Sequence, residues 1–160
     1  MWVDSDTFVN CPKIPLSDII DHTKSIHLGI NCVKEEIFKD LLFKKTLNAG
    51  VFIIKNDSIG RSYLEDCIKT FKTRKVCNVN GKPESVGSFA GKCYEQGIMN
   101  ELIRGVPKYT NATQMFNPGT IYNGTETHHT SPVIIHLYGR DKQKAAEYFE
   151  KLIDKNRQET

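Results

Sequence analysis

The chain has 160 residues, 39% of them hydrophobic, with 22 Lys and Arg against 19 Asp and Glu and a formal charge of +3. Length and composition suit one folded domain with a substantial core and exclude a disordered chain. The basic residues are scattered and the aromatics do not interleave with them, which excludes an extended nucleic-acid surface, and no apolar run reaches the length needed to span a bilayer.

In chain order, Met1-Trp2-Val3 reads as the end of a buried strand that runs directly into Asp4-Ser5-Asp6. Two carboxylates two residues apart, where the chain leaves a sheet, can turn toward one divalent cation, and such a cation commonly clamps a diphosphate. A strand also opens the chain where a signal peptide would show a basic stretch and a long apolar core, so as written the protein reads as cytoplasmic. After Thr7-Phe8-Val9 and Pro12, Ser17 is expected to cap a short helix through about Thr23. The alternation of Ile26, Leu28 and Ile30 predicts an extended segment over 26–33, and 34–44 reads as helix or turn.

The strongest strand signal is Val51-Phe52-Ile53-Ile54, introduced by the turn formers Leu47-Asn48-Ala49-Gly50 and expected to be buried on both faces. Asp57 or Ser58 can cap the next helix, in which Tyr63, Leu64, Cys67, Ile68 and Phe71 recur at three and four residues, as one buried stripe would. Gly81, Pro83, Gly87 and Gly91 mark 77–93 as a long loop, and a helix is expected from about Tyr94 to Arg104. Extended pieces are expected at Tyr109 to Phe116 and Thr120 to Tyr122, then a buried strand over Val133 to Tyr138, a break at Gly139, and a helix from Lys142 to Ile153. The predicted class is α/β with a mixed sheet.

Five cysteines, Cys11, Cys32, Cys67, Cys77 and Cys93, are odd in number and include no C-x-x-C pair, so neither a complete disulfide framework nor a zinc ribbon is signalled, and buried or free thiols are expected. N-x-S/T sequons at Asn56, Asn111 and Asn123 would matter only in a chain delivered to the secretory pathway. His128 and His129, in a Thr-rich loop, read as exposed histidines.

Taken together, Asp4-Ser5-Asp6, Leu47-Asn48-Ala49-Gly50-Val51-Phe52, Glu95-Gln96-Gly97 and His136-Leu137-Tyr138-Gly139 resemble, in this order, the C-terminal part of a retaining GT-A glycosyltransferase. The likeness covers nearly the whole chain and is greatest to glycosyltransferase family 34, the galactosyl, mannosyl and xylosyl transferases. Family 8, the glycogenin-like group, is the next relative, and its H-x-x-G-x-x-K ending is met by His136, Gly139 and Lys142. The resemblance implies a single partial GT-A domain over 1–160 that lacks the N-terminal nucleotide-binding strands. Those would come from a missing segment or a separate chain, and a missing segment carrying a signal anchor would place the protein in the Golgi lumen.

It further implies a metal-dependent retaining transfer of a hexose or pentose from a UDP- or GDP-linked sugar to a glycan or glycoprotein. Asp4, Asp6 and His136 would hold Mn²⁺ or Mg²⁺, a mixed oxygen and imidazole set that suits manganese. Gly139 would let the backbone approach the phosphates, a role that a simple strand terminator could equally explain. Lys142, or Arg140 in its place, would reach a phosphate oxygen. Asn48, Ala49 and Gly50 would line the donor-sugar pocket, while Gln96 and Glu95 would lie at the reacting face, with Gly97 standing where several relatives carry a second acid. Phe116-Asn117-Pro118 resembles the F-N-S piece of family 34 and would belong to the acceptor side.

Two other readings fit the residues. Val3-Asp4-Ser5-Asp6-Thr7 also matches the D-x-D-x-T nucleophile motif of haloacid-dehalogenase-like phosphatases, with Asp4 phosphorylated and Asp6 as acid and base, although no later acidic pair for Mg²⁺ follows. The other is a catalytically inactive glycosyltransferase remnant or sugar-binding subunit.

Overall fold

The computed structural model describes residues 1–11, 13–31, 47–74, 78–79, 82–83, 93–124, 132–138 and 142–158. The segment 34–44, expected as helix or turn, and Cys32, Cys77, His128, His129, Gly139 and Arg140 lie outside them.

Two mixed sheets, a separate two-stranded pair, one 3-10 turn and four α-helices make up the described chain. In the first sheet, β1 (Trp2–Val3) pairs antiparallel with β4 (Leu47–Ile54), which pairs antiparallel with β3 (Ile26–Ile30), which runs parallel to β7 (Thr113–Phe116). The second sheet sets β9 (Ile134–Leu137) between antiparallel β2 (Thr7–Val9) and parallel β8 (Ile121–Gly124). A parallel bridge between Asn31, just past β3, and Asn123 on β8 brings the two sheets together. A short antiparallel pair, β5 (Asn78–Val79) with β6 (Lys82–Pro83), stands apart.

Helices α1 (Ser58–Thr73), α2 (Glu95–Gly105) and α3 (Pro107–Asn111) enclose one core with β3 and β4, built on Ile26, Leu28, Leu47, Tyr63, Met99 and Tyr109. The last helix, α4 (Lys142–Gln158), covers the second sheet through Ala145 and Leu152 against Tyr122, Ile135 and Leu137. Between them Val51, Phe116, Ile121 and Ile134 join the two sheets into one interior.

The structure departs from the sequence expectations at several points, each with a local cause. β1 is not buried: it lies at the edge of its sheet, with Trp2 55% and Val3 44% exposed. Ser17 caps nothing. Pro15 precedes a single 3-10 turn, Leu16–Asp18, inside which the Ser17 hydroxyl donates to Asp18. The turn formers at 47–50 are themselves strand, because the register against β3 jumps from Leu28 opposite Phe52 to Gly29 opposite Asn48, so β4 bulges and keeps pairing. Its buried part is therefore 47–51, while Phe52, Ile53 and Ile54 are only partly covered.

Asp57 caps α1 as expected, its Oδ1 accepting the Gly60 N–H at 2.8 Å. The buried stripe of that helix is narrower than its periodicity implied: Tyr63 is fully buried, but Leu64 and Ile68 face solvent. Tyr109 sits on helix, not strand, since Pro107 at the first helical position pre-sets the backbone for a turn of α3. Cys11 and Cys67 are free thiols, but Cys93 is disulfide-bonded; an odd count forbids complete pairing without forbidding one bridge. Among the described residues no helix is long and apolar enough to cross a membrane.

What fixes β4 against α2 is a set of buried amides. Asn100 Oδ1 accepts the Leu47 N–H at 2.8 Å, and its Nδ2 donates to the carbonyls of Leu47 and Gln96, both at 2.7 Å. Asn100→Leu would strand backbone groups inside the protein, each costing roughly 1–3 kcal/mol. Urea denaturation is expected to show a loss of at least about 2 kcal/mol, and a loss well below 1 would contradict the bracing role.

The carboxyls of Asp57 and Asp21 are both held below their ordinary value of 3.8, Asp57 first by the Gly60 N–H and Asp21 first by the Thr23 hydroxyl. A depressed carboxyl contributes stability above its unfolded pKa and loses it as pH falls through the folded one. Stability should therefore decline below about pH 3.8, and Asp57→Asn, which can still cap, should flatten that acid limb in thermal melts taken across the range.

Candidate metal and phosphate site

Between β1 and β2 the chain makes a tight turn that carries it from one sheet to the other. The Asp4 N–H donates to the Gly50 carbonyl of β4 at 2.8 Å, the Thr7 N–H closes the turn onto the Asp4 carbonyl at 3.2 Å, and the Leu137 N–H of β9 donates to the Asp6 carbonyl at 3.1 Å. Both carboxylates are thus tied by their own backbones to neighbouring strands. They converge on His136 in β9, whose Nε2 is 3.2 Å from Asp6 Oδ1 and 3.8 Å from Asp4 Oδ2.

One ligand atom from each of Asp4, Asp6 and His136 lies within 4.8 Å of the others. The imidazole is buried and forms the floor, while the Asp4 and Asp6 side chains keep 44% and 30% of their surface open to solvent. The second oxygen of Asp4 is engaged: the Trp2 indole Nε1–H donates to Oδ1 at 2.8 Å, and the indole stacks on Phe52 with ring centroids 6.1 Å apart.

Burial holds the His136 imidazole below its usual range near 6.5, an effect that the charges of Asp6 and Asp4 oppose without overturning. Burial thus favours the uncharged ring, which can offer a nitrogen lone pair that an imidazolium could not. Two carboxylate oxygens and an imidazole nitrogen, open to solvent on one side, form a donor set that fits Mn²⁺ and, less well, the oxygen-preferring Mg²⁺. A second observation agrees with a ligand site here. Thr7 is the direct cross-strand partner of His136, so the two share a sheet face, and the Thr7 hydroxyl is buried with no hydrogen-bond partner among the described residues.

Glycine is required beneath this ring. A Cβ placed on Gly50 would lie 1.9 Å from His136 Cε1, so any larger residue would push the imidazole out of its seat. On the other side of the ring, His136 Nδ1 is 3.0 Å from Asn123 Oδ1.

The remaining expected site residues fall around this centre with different standing. Asn48 and Ala49 lie on β4 next to Gly50, but the Asn48 amide bonds the protein itself, its Oδ1 accepting the Gly50 N–H at 2.7 Å and its Nδ2 donating to Asn31 Oδ1 at 2.8 Å. Gln96 is buried, and its Oε1 accepts the Ala49 N–H at 3.1 Å. Glu95 stands exposed in the first turn of α2. Lys142 is described only as the first residue of α4. Phe116 is buried, with its ring stacked on His27, and Asn117 closes an Asx turn on the N–H groups of Gly119 and Thr120, so that piece shapes the chain.

Trp2 and Asn123 were missed as site residues by sequence reasoning. Trp2, two residues before Asp4 and carrying the one indole of the chain, was a findable signal; Asn123 offered none beyond its sequon.

No protein-family model matches this chain, and no curated protein does. Among solved structures it is similar to a glycosyltransferase involved in the glycosylation of the major capsid of PBCV-1, with a TM-score of 0.54 and 18% identity. The match covers 94% of this chain and 65% of that one, so the chain spans about two thirds of the glycosyltransferase it resembles. The fold is thus glycosyltransferase-like, a mixed α/β arrangement of mixed sheets.

The seat of the histidine can be tested by a double-mutant cycle. Gly50→Ala alone should destabilise the protein by about 1–3 kcal/mol, as overpacking does. The same change in a His136→Ala background should cost markedly less, because the ring it strikes is gone. Equal costs in the two backgrounds would refute the contact.

Proposed function

We infer that the chain is the metal-binding part of a glycosyltransferase that moves a hexose or pentose from a UDP- or GDP-linked sugar to a glycan or glycoprotein, with retention of configuration. The observation that carries this reading is the convergence of Asp4, Asp6 and His136 at the junction of two sheets, in a fold similar to that of a glycosyltransferase. The metal dependence rests on the donor set; retention and the donor class rest on the resemblance of the sequence motifs.

When bound, a divalent cation at these three residues would neutralise charge on the departing nucleoside diphosphate. The protein's own contributions are geometric. The turn from Asp4 to Thr7 anchors both carboxylates by backbone bonds, Trp2 fixes which oxygen of Asp4 faces the centre, and Gly50 leaves room for the imidazole. Asn48 and Gln96, expected at the sugar, act in this reading as braces that hold the Ala49–Gly50 wall beside the centre. Glu95 is the acidic group retained for the sugar face, and Lys142 for a phosphate oxygen, with Gly139 and Arg140 just before it in sequence.

The single tryptophan supplies the assay, because it donates directly to one of the three groups. Manganese titration should quench its fluorescence, and calorimetry should then show UDP or GDP binding that depends on the metal. Asp6→Ala and His136→Ala should each abolish both effects. Unchanged quenching in the two variants would sink the metal assignment. Hydrolysis of an aryl phosphate without nucleotide binding would favour the phosphatase reading, and metal-dependent nucleotide binding without donor-sugar turnover would favour the inactive one.

A further inference from the structure

Asn123 is wholly buried on β8, and it touches both the strand that precedes Asn31 and the ring of His136. Its side-chain nitrogen donates to the Ile30 carbonyl at 3.4 Å, and its Oδ1 lies 3.0 Å from His136 Nδ1. The two ends of an amide are chemically different, and the Ile30 carbonyl decides which way this one points. Turning it over would set Oδ1 against another carbonyl oxygen, two acceptors with no proton between them. The room is also fixed: a Cβ on Gly29 would come within 2.2 Å of Nδ2, so the amide is held from behind as well as from its ends.

With the amide so oriented, Asn123 Oδ1 can only accept and so favours the proton of a neutral ring on Nδ1, against the competing pull of the acceptor-only Asp6 carboxylate 3.2 Å from Nε2. The lone pair is then on Nε2, the nitrogen that faces Asp6 and Asp4 at 3.2 and 3.8 Å. Three electron-rich atoms pointing at one another repel unless a proton or a metal cation sits among them.

We propose that Asn123 is a positioning residue that selects the Nδ1–H tautomer of His136, through an amide oriented by the Ile30 carbonyl, and so presents Nε2 to a divalent cation shared with Asp4 and Asp6. This rests on the metal reading of the site given above and assigns the part that the protein interior plays in it. Groups that orient a metal-binding imidazole from its far nitrogen typically contribute 10–100-fold in affinity.

The test combines a spectroscopic and a binding measurement. Histidine ¹⁵N–¹H correlation spectra of the metal-free wild-type protein at pH 8, with the His136 signals assigned by their loss in His136→Asn, should show the proton on Nδ1. Manganese affinity, read from Trp2 quenching, should fall roughly 10–100-fold in Asn123→Leu and stay within a few-fold of wild type in Asn123→Asp, which keeps an acceptor oxygen. A proton on Nε2 in the wild type, or undiminished affinity in Asn123→Leu, would overturn the proposal while leaving the metal site standing. Absence of manganese binding by the folded wild-type protein would remove both. Because the tautomer is read in the wild type, the proposal stays open to refutation even if Asn123→Leu does not fold.

Discussion

The imidazole of His136 lies against the bare backbone of Gly50, and through this contact the two sheets meet at the candidate site. A single added carbon at Gly50 would overlap the ring. β4 can come so near because it bulges there, losing register with β3 between Phe52 and Asn48, and the released backbone is what β1 and the turn at Asp4 bind. The bulge therefore serves the site twice. It brings the glycine under the ring, and it turns the Gly50 carbonyl toward the Asp4 N–H.

A bulged strand is a weak place in a sheet, since it forfeits ladder bonds, and the protein compensates with side-chain amides. Asn100 takes up the Leu47 backbone, Gln96 the Ala49 N–H and Asn48 the Gly50 N–H. Such buried networks stabilise only when their members are satisfied, and the two halves of each Asn48 and Asn100 amide find partners. The rigidity needed to hold three ligand groups thus comes from polar residues that reach no solvent. Apolar packing supplies the rest, with Tyr63, Met99 and Tyr109 on one side and Ile135, Leu137 and Leu152 on the other.

Much of this was legible in the sequence where local chemistry is decisive. Asp57 announced its helix because a carboxylate before a periodic stretch has little else to do, and the apolar run at 134–137 became a buried central strand. Asp4 and Asp6 were readable as a pair for the same reason. What the sequence hid was set by tertiary contact. Leu47 to Gly50 looks like a turn because Asn and Gly favour turns, yet the amides of α2, about fifty residues away, hold it as strand. The family resemblance suggested Asn48 and Gln96 as sugar ligands, and it could not show that their amides also bond the protein itself, Asn48 to the Gly50 N–H and the Asn31 side chain, Gln96 to the Ala49 N–H. The exposure of Leu64 and Ile68 shows the opposite error: apolar periodicity marks a face but does not say how much of it will be covered. Asn123 was invisible because its meaning depends on two strands that approach only in the folded chain.

That same asparagine opens an N-x-T sequon, Asn123-Gly124-Thr125. The nitrogen to which a glycan would be attached faces the Ile30 carbonyl, in a space that would not admit one further carbon from Gly29. A sugar there could not be accommodated with this side chain in place, because Asn123 is wholly buried. Glycosylation during synthesis and completion of this fold are therefore mutually exclusive at Asn123, whereas the sequons at Asn56 and Asn111 sit on exposed residues and carry no such conflict.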